Sequence, residues 1–307
     1  MTTHRIEPSL DTVTDVFSRD LPPVLTVDPG DTLVVRSLDA AGHLRRQPGP
    51  GVPSPMLIGE GRRGHCLVGP IAVRGAAPGM TLAVHLVALR PDDWGFTVAG
   101  ARDNVLNRAI GVHPGEPAWL LWEVDADRGT ARNNLGLTVR LAPFLGVIGL
   151  PPAEHGVHST IPPRPSGGNI DCRELVAGAT LYLPVTVPDA LLCVGDGHGV
   201  QGDGEVAGTA LECGMTTEFV VDIAPDPPIT TAHAITPAGR ITFGFSADLN
   251  DATAQALNAM VSWLQLLYTV DRATALALAS PVVDLRITQI ANQVWGVHAV
   301  LPDGALS

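Results

Sequence analysis

The chain reads as a mainly β protein, a sandwich or barrel carrying one long and one short α-helix towards its C-terminal end. Three observations carry that reading. The 33 glycines and 27 prolines are spread along all 307 residues, so apolar runs are short and end in Pro, Gly, Asp or Asn. Turn signals recur about every ten residues, the spacing a sandwich or barrel needs. Only one long stretch departs from this punctuation and follows a helical period.

In chain order, strands are expected at 24–27, 32–37, 71–74, 81–89, 119–124, 135–141, 180–187, 191–194, 205–212 and 215–223, each an apolar or alternating run between breakers. The exception then follows. Leu249, Ala252, Ala256, Leu257, Met260, Val261, Leu264, Leu267 and Tyr268 fall on one helical face behind the capping candidates Asp248 and Asn250, which predicts a helix over 250–268. Asp271 is placed to cap a second, short helix that runs to Ala279 before Pro281. No composition break marks a linker. The expectation is one compact catalytic domain over 1–307, in which a β-rich region (1–245) contains the site region 166–212 and is followed by a helical segment and final strands over 246–307. No repeat is visible at 20 to 50 residues; an internal duplication of β halves would lie below what the eye detects.

Composition excludes several functions. At 32.0 kDa the chain can bury roughly three-quarters of its unfolded surface and needs no external staple. Cys66, Cys172, Cys193 and Cys213 lack C-x-x-C spacing, and the N-terminal residues are polar, which predicts a reduced, cytoplasmic protein. A net charge of -12 offers no basic face for nucleic acid, and no apolar run approaches the roughly 20 residues that span a bilayer. Small neutral or cationic partners are expected. All 19 basic residues are arginine, a feature of codon usage more than of function.

The chemistry concentrates in Gly195-Asp196-Gly197-His198-Gly199-Val200-Gln201-Gly202-Asp203-Gly204-Glu205. Asp196 and His198 are two apart, which in extended chain puts both side chains on one face. Asp203 and Glu205 repeat the spacing across a short connection, so a hairpin mouth is expected where all four converge. That donor mixture suits a divalent cation, zinc, or calcium if oxygens dominate. The upstream loop 151–165 carries His155 and His158 and reads as a wall or lid of this site. Glu123, one acid among the apolar neighbours of a strand, is a weaker candidate. Cys172 and Cys193 offer a thiol nucleophile in principle, yet the apolar run around Cys193 favours a buried thiol. No G-x-S-x-G elbow is present, and no Gly-x-Gly pattern leads into a helix.

Five short motifs in fixed order, Gly-Gly-Asn-Ile-Asp ending at Asp171, Leu181-Tyr182-Leu183-Pro184-Val185, Val194-Gly195-Asp196-Gly197-His198, Gln201-Gly202-Asp203-Gly204-Glu205-Val206 and Gly208-Thr209-Ala210-Leu211-Glu212, resemble the core of the acetamidase/formamidase family. The likeness extends to Pro22–Thr32, Gly69–Met80, Pro143-Phe144-Leu145-Gly146-Val147-Ile148-Gly149, Asp284–Gln289 and Gly296–Pro302. Met80 stands where that family more usually has Asp, and Gly199-Val200 where two alanines are common. The resemblance implies a metal-dependent hydrolase of short aliphatic amides such as formamide or acetamide, and it sets Asp171 beside the Asp-Gly-His motif. The expected ligands are then Asp171, Asp196 and His198. Asp196 shares the catalytic role with Glu205 or Asp203 as proton shuttle, and Asn169 and Gln201 orient the amide. A homo-oligomer is expected, since subunit contacts would help close a pocket for so small a substrate. Two other readings stay open: a non-catalytic β module with a structural cation and a small ligand, and a cysteine amidase of nitrilase type.

Overall fold

The computed structural model describes residues 1–59 and 61–306. Its hub is the 19-residue strand Thr81–Ala99, which pairs antiparallel with Glu212–Ala224 along most of its length, with Thr180–Pro184 at one end and with Ala118–Asp125 at the other. Alternating buried and half-buried residues in Thr32–Ser37 and Thr180–Pro184 give each strand one face for the core, where Leu33, Leu82, Leu86, Leu181 and Phe219 are fully buried. The strand Leu67–Val73 is buried at every residue, as a strand covered on both faces must be.

Among the described residues three helices complete the fold: α1 (Val105–Ala109), α2 (Leu249–Tyr268) and α3 (Arg272–Ala279). The Asp248 side chain accepts from the Asn250 and Asp251 amides, and Asp271 caps α3 through the Thr274 amide, as their sequences predict. Ala252, Ala256, Met260 and Leu264 bury one face of α2 against the strands Gly239–Ser246 and Trp295–Leu301. This approach requires Gly244, because a Cβ there would stand 1.9 Å from the Ala252 carbonyl oxygen. No helix among the described residues is long and apolar enough to cross a membrane.

The architecture is mainly β, as the punctuation predicts. Three expected elements differ. The strand expected at 81–89 continues to Ala99, carried through Pro91 by register shifts against Glu212–Ala224. The expected 135–141 strand shrinks to Thr138–Arg140, because Asn133 turns the preceding chain by accepting from the Leu135 and Leu137 amides. The expected strand 205–212 does not form: Gly204 and Gly208 and the left-handed Glu205 (φ 45°) break it, and the next strand starts at Glu212. The short helix α1 carries no sequence signal strong enough to have predicted it.

Candidate active site

Four strands bring the site together. Phe144–Gly149 lies between Gly167–Asn169 and Leu192–His198, with Val147 opposite both Asn169 and Gly195, and His198 faces Glu212 at the start of the next strand. Asp196 and His198 leave the same strand towards one buried cluster, joined by Asp171, Glu205 and Glu212, all nearly inaccessible to solvent. The ligating atoms of Asp171, Asp196 and His198 lie within 4.8 Å of one another, as do those of His198, Glu205 and Glu212.

The backbone is strained where it presents these acids. Among the described residues, seven that are not glycine have positive φ, and three of them are Asp171 (54°), Asp196 (60°) and Glu205 (45°). Gly146 backs the cluster: a Cβ there would come within 2.4 Å of Asp196 Oδ2 and 2.6 Å of Asp171 Oδ1. Its carbonyl also accepts from the Ile170 and Asp171 amides, tying the Gly-Gly-Asn-Ile-Asp turn to the neighbouring strand.

Orientation of the imidazole follows from one hydrogen-bond chain. The Gln201 side-chain amide donates to the Asp171 carbonyl oxygen at 2.8 Å, so its Oε1 accepts from His198 Nδ1 at 2.9 Å. The proton therefore sits on Nδ1, and Nε2 is turned towards Asp196 Oδ1 at 3.5 Å and Glu212 Oε1 at 3.4 Å. Phe144 meets the ring edge-on with centroids 5.0 Å apart. Nε2 and both carboxylate oxygens of Asp171 are buried and have no hydrogen-bond partner. Burial, then the neighbouring Asp196 charge, pushes the Asp171 carboxyl well above its ordinary range, and burial with the Asp171 charge does the same to Glu205. Burial opposes charge on His198 and Asp196 as well, but there the facing charges win: His198 is raised by Glu212 and Asp196, and Asp196 is lowered by His198 and His65. Four buried carboxylates around one histidine carry more negative charge than the protein side chains there offset. Orphaned carboxylate oxygens beside an unpartnered imidazole nitrogen, whose proton a cation would replace, fit a divalent cation.

The cluster opens into a cavity of about 280 Å³ whose lining includes Asp196, Glu205, Glu212, Asn169, His65 and Phe96. Asn169 donates to the Ile161 carbonyl and keeps its Oδ1 unpartnered. Burial holds the His65 imidazole below its ordinary pKa and therefore neutral.

Of the residues expected at the site, Asp171, Asp196, His198 and Glu205 come together, and Asn169 lines the cavity. Asp203 does not join them. It turns outward to Arg286, whose Nε and Nη2 lie 2.8 and 2.7 Å from Asp203 Oδ2, because the chain at Gly204 reverses and sends alternate side chains to different partners. Gln201 is spent behind the site on His198 and Asp171 and is absent from the cavity lining. His155 is exposed and pairs with Asp20 at 2.6 Å, His158 bonds the Glu154 carbonyl, and only Ile161 of that loop reaches the cavity. Glu123 is exposed beside Arg46. All four cysteines are buried and unpaired, and burial pushes the Cys66 and Cys193 thiols up to about 12, which removes a thiolate nucleophile. Sequence reasoning missed Glu212 and His65. Glu212 closes the Gly-Thr-Ala-Leu-Glu run and is legible there as a motif residue without a role; His65 carries no local signal.

A model of the Acetamidase/Formamidase family matches residues 3–159 and 153–302. The chain belongs to the acetamidase/formamidase family. It is accordingly an amidohydrolase acting on linear amide C–N bonds. Among its relatives, the acetamidase of Mycolicibacterium smegmatis is 25% identical over 299 residues, covering 71% of this chain and 73% of the relative. The formamidase of Methylophilus methylotrophus is 26% identical over 240 residues, 61% of this chain and 58% of its own length. An acetamidase structure from Bacillus halodurans superposes with a TM-score of 0.86 over 97% of each chain at 24% identity, a likeness of fold.

Proposed function

We propose that this acetamidase/formamidase family member hydrolyses short aliphatic amides to ammonia and the carboxylate, with a divalent cation, zinc by donor type, held by Asp171, Asp196 and His198. The whole chain acts as one catalytic unit. The observation that carries the reading is the pair of unpartnered Asp171 oxygens beside the unpartnered Nε2 of His198, in one cluster with Asp196 and Glu205, which line the cavity. When bound, a divalent cation there lowers the pKa of water from 15.7 towards ~7 and polarises a carbonyl.

The chain's own residues supply the rest. Glu205 lines the cavity next to Asp171 and takes the proton that water gives up on attacking the amide carbon; it then returns that proton to the leaving nitrogen, so that water and amide become carboxylic acid and ammonia, which ionise to carboxylate and ammonium. Glu212, fixed by the Ala210 amide at 3.0 Å, faces His198 and keeps its second oxygen unpartnered. His65, neutral and partnered at Nδ1 with Thr160 Oγ1 at 2.9 Å, has its other nitrogen left to donate to the amide oxygen. Asn169 offers its unpartnered Oδ1 to the amide N–H. Gln201 acts through His198 by fixing its tautomer, as residues behind metal ligands do.

Ammonia release from formamide, acetamide, propionamide and urea, measured with metal content before and after chelation, tests this. Turnover of the amides that falls with the metal and returns with zinc is expected. Ammonia that is flat across substrates, or turnover indifferent to chelation, overturns it.

A further inference from the structure

The cavity is larger than acetamide needs, and its exposed charged residues are basic. A volume of about 280 Å³ holds roughly nine waters at ~30 Å³ each, whereas a four-heavy-atom amide fills the space of roughly three. Three buried acids line it, Asp196, Glu205 and Glu212, and so do three exposed arginines, Arg62, Arg63 and Arg102. This concentration is unexpected in a chain of net charge -12. The overall charge predicts neutral or cationic partners, yet the exposed charged side chains at this cavity are arginines.

The three arginines are not equally engaged. Arg63 is paired with Asp15 at 2.8 Å. Arg62 gives one nitrogen to the Ala40 and Gly64 carbonyls, and Arg102 gives one to the Ala291 carbonyl at 3.3 Å. Among the described residues neither has a carboxylate within salt-bridge distance. A guanidinium has five N–H donors in a fixed fork, so each of these is held in place by backbone with most of its donors left over. Their charge bears on His65 at the site. Balancing the acid cluster does not account for them. The cluster's carboxylates are buried with His198 among them, while the arginines are exposed to solvent.

We propose that the substrate carries a carboxylate: a monoamide of a short dicarboxylic acid, its anionic end held by Arg62 and Arg102 while the amide lies over the acid cluster. The inference rests on the amidase reading and narrows its substrate class. Planar, bidentate capture of a carboxylate is what two anchored guanidinium groups do best.

The test compares succinamate with succinamide, which replaces the carboxylate by a neutral group of the same shape, and with acetamide, using the zinc-loaded full chain. The expected result is kcat/KM at least about tenfold higher for succinamate than for succinamide, a preference that shrinks with added salt. Arg62→Ala and Arg102→Ala should each lower kcat/KM for succinamate about tenfold more than for acetamide. Equal turnover of the charged and neutral amides, or variants that affect succinamate and acetamide alike, overturns the proposal. Calorimetric binding of succinamate supplies a readout without turnover. If no amide is hydrolysed, the amidase reading fails, yet binding that needs both arginines still supports the anionic site, and absent or arginine-independent binding ends it.

Discussion

Two groups of acids, each with one histidine, sit side by side in this fold, and they are neutralised in different ways. One is the buried cluster of Asp171, Asp196, Glu205, Glu212 and His198 that we propose as catalytic. The other begins one residue on, at Cys172, and gathers Glu174, Asp203 and His298 around Arg286. There the guanidinium bridges Glu174 Oε1 and Asp203 Oδ2, and His298 stands 3.4 Å from Glu174 while its Nδ1 shares a proton with Thr288 Oγ1 at 2.8 Å. Burial alone would raise the Glu174 carboxyl, but His298 and Arg286 outweigh it and hold it below its ordinary range. In the proposed catalytic cluster no guanidinium arrives among the described residues, and Asp171 and Glu205 are pushed the other way. The same residue types thus make a closed structural knot when the chain brings its own cation, and a cluster that could hold a metal ion when it does not. Cys172, Glu174 and His298 are close enough to ligate a metal, but Arg286 already occupies the charge.

The largest effects should come from breaking the catalytic cluster. His198→Ala or Asp171→Ala removes a ligand, so metal content and ammonia release should fall together, by more than the about 10²-fold that loss of a supporting residue behind a ligand brings. Gly146→Ala should do the same without touching a ligand, since its methyl group would displace the Asp171 and Asp196 carboxylates. Stoichiometric metal with full activity in His198→Ala would remove that residue from the site.

Next in size, base and ligand should separate. Glu205→Gln keeps shape and loses the titratable group, so metal should persist while kcat drops about 10²-fold or more. Asp196→Asn should weaken the metal and be partly rescued by excess zinc, a rescue that Glu205→Gln should not show. If Glu205→Gln loses metal and Asp196→Asn keeps it, the two roles are exchanged.

How much of this contrast is legible in the sequence depends on how local the cause is. The helix caps Asp248 and Asp271, the alternation in Thr32–Ser37 and the shared face of Asp196 and His198 are short-range, and all three read correctly. The fate of Asp203 is not local. It is decided by Arg286, 83 residues later, which a reading of Gly202-Asp203-Gly204-Glu205 alone has no means of including. Glu212 likewise enters the site through strand pairing and His65 through Thr160, 95 residues later, and Gln201 looks like a substrate contact until the position of the Asp171 carbonyl is known.

The second cluster should be structural. Arg286→Met strands Glu174 and Asp203 without their cation; Arg286 is one-third exposed, so the loss of stability should be about 1–3 kcal/mol, below the range for fully buried pairs. Metal stoichiometry should be unchanged. Turnover should fall less than in Glu205→Gln, because the Gly204 amide still donates to the Thr288 carbonyl and the Gly204 carbonyl still accepts from the Ile290 amide, holding the turn that presents Glu205. Metal loss in Arg286→Met would mean that the two clusters are one.

The smallest effect is a pH dependence of stability that Arg286 should contribute through Glu174. A carboxyl held below its unfolded value stabilises the fold at neutral pH, and that contribution is lost as pH falls from about 4.3 through the lower folded value. Glu174 is such a group, and Arg286 is one of the causes. Denaturant unfolding of the chelated protein should therefore show the gap between wild type and Arg286→Met narrowing as pH drops below about 4, since protonation removes from the wild type what the substitution has already removed. Chelation of both proteins keeps the release of metal from His198 and Asp196 out of the comparison. A gap that stays constant from neutral pH to the acid limit would show that Arg286 stabilises the fold by packing its aliphatic stem and not by its charge on Glu174.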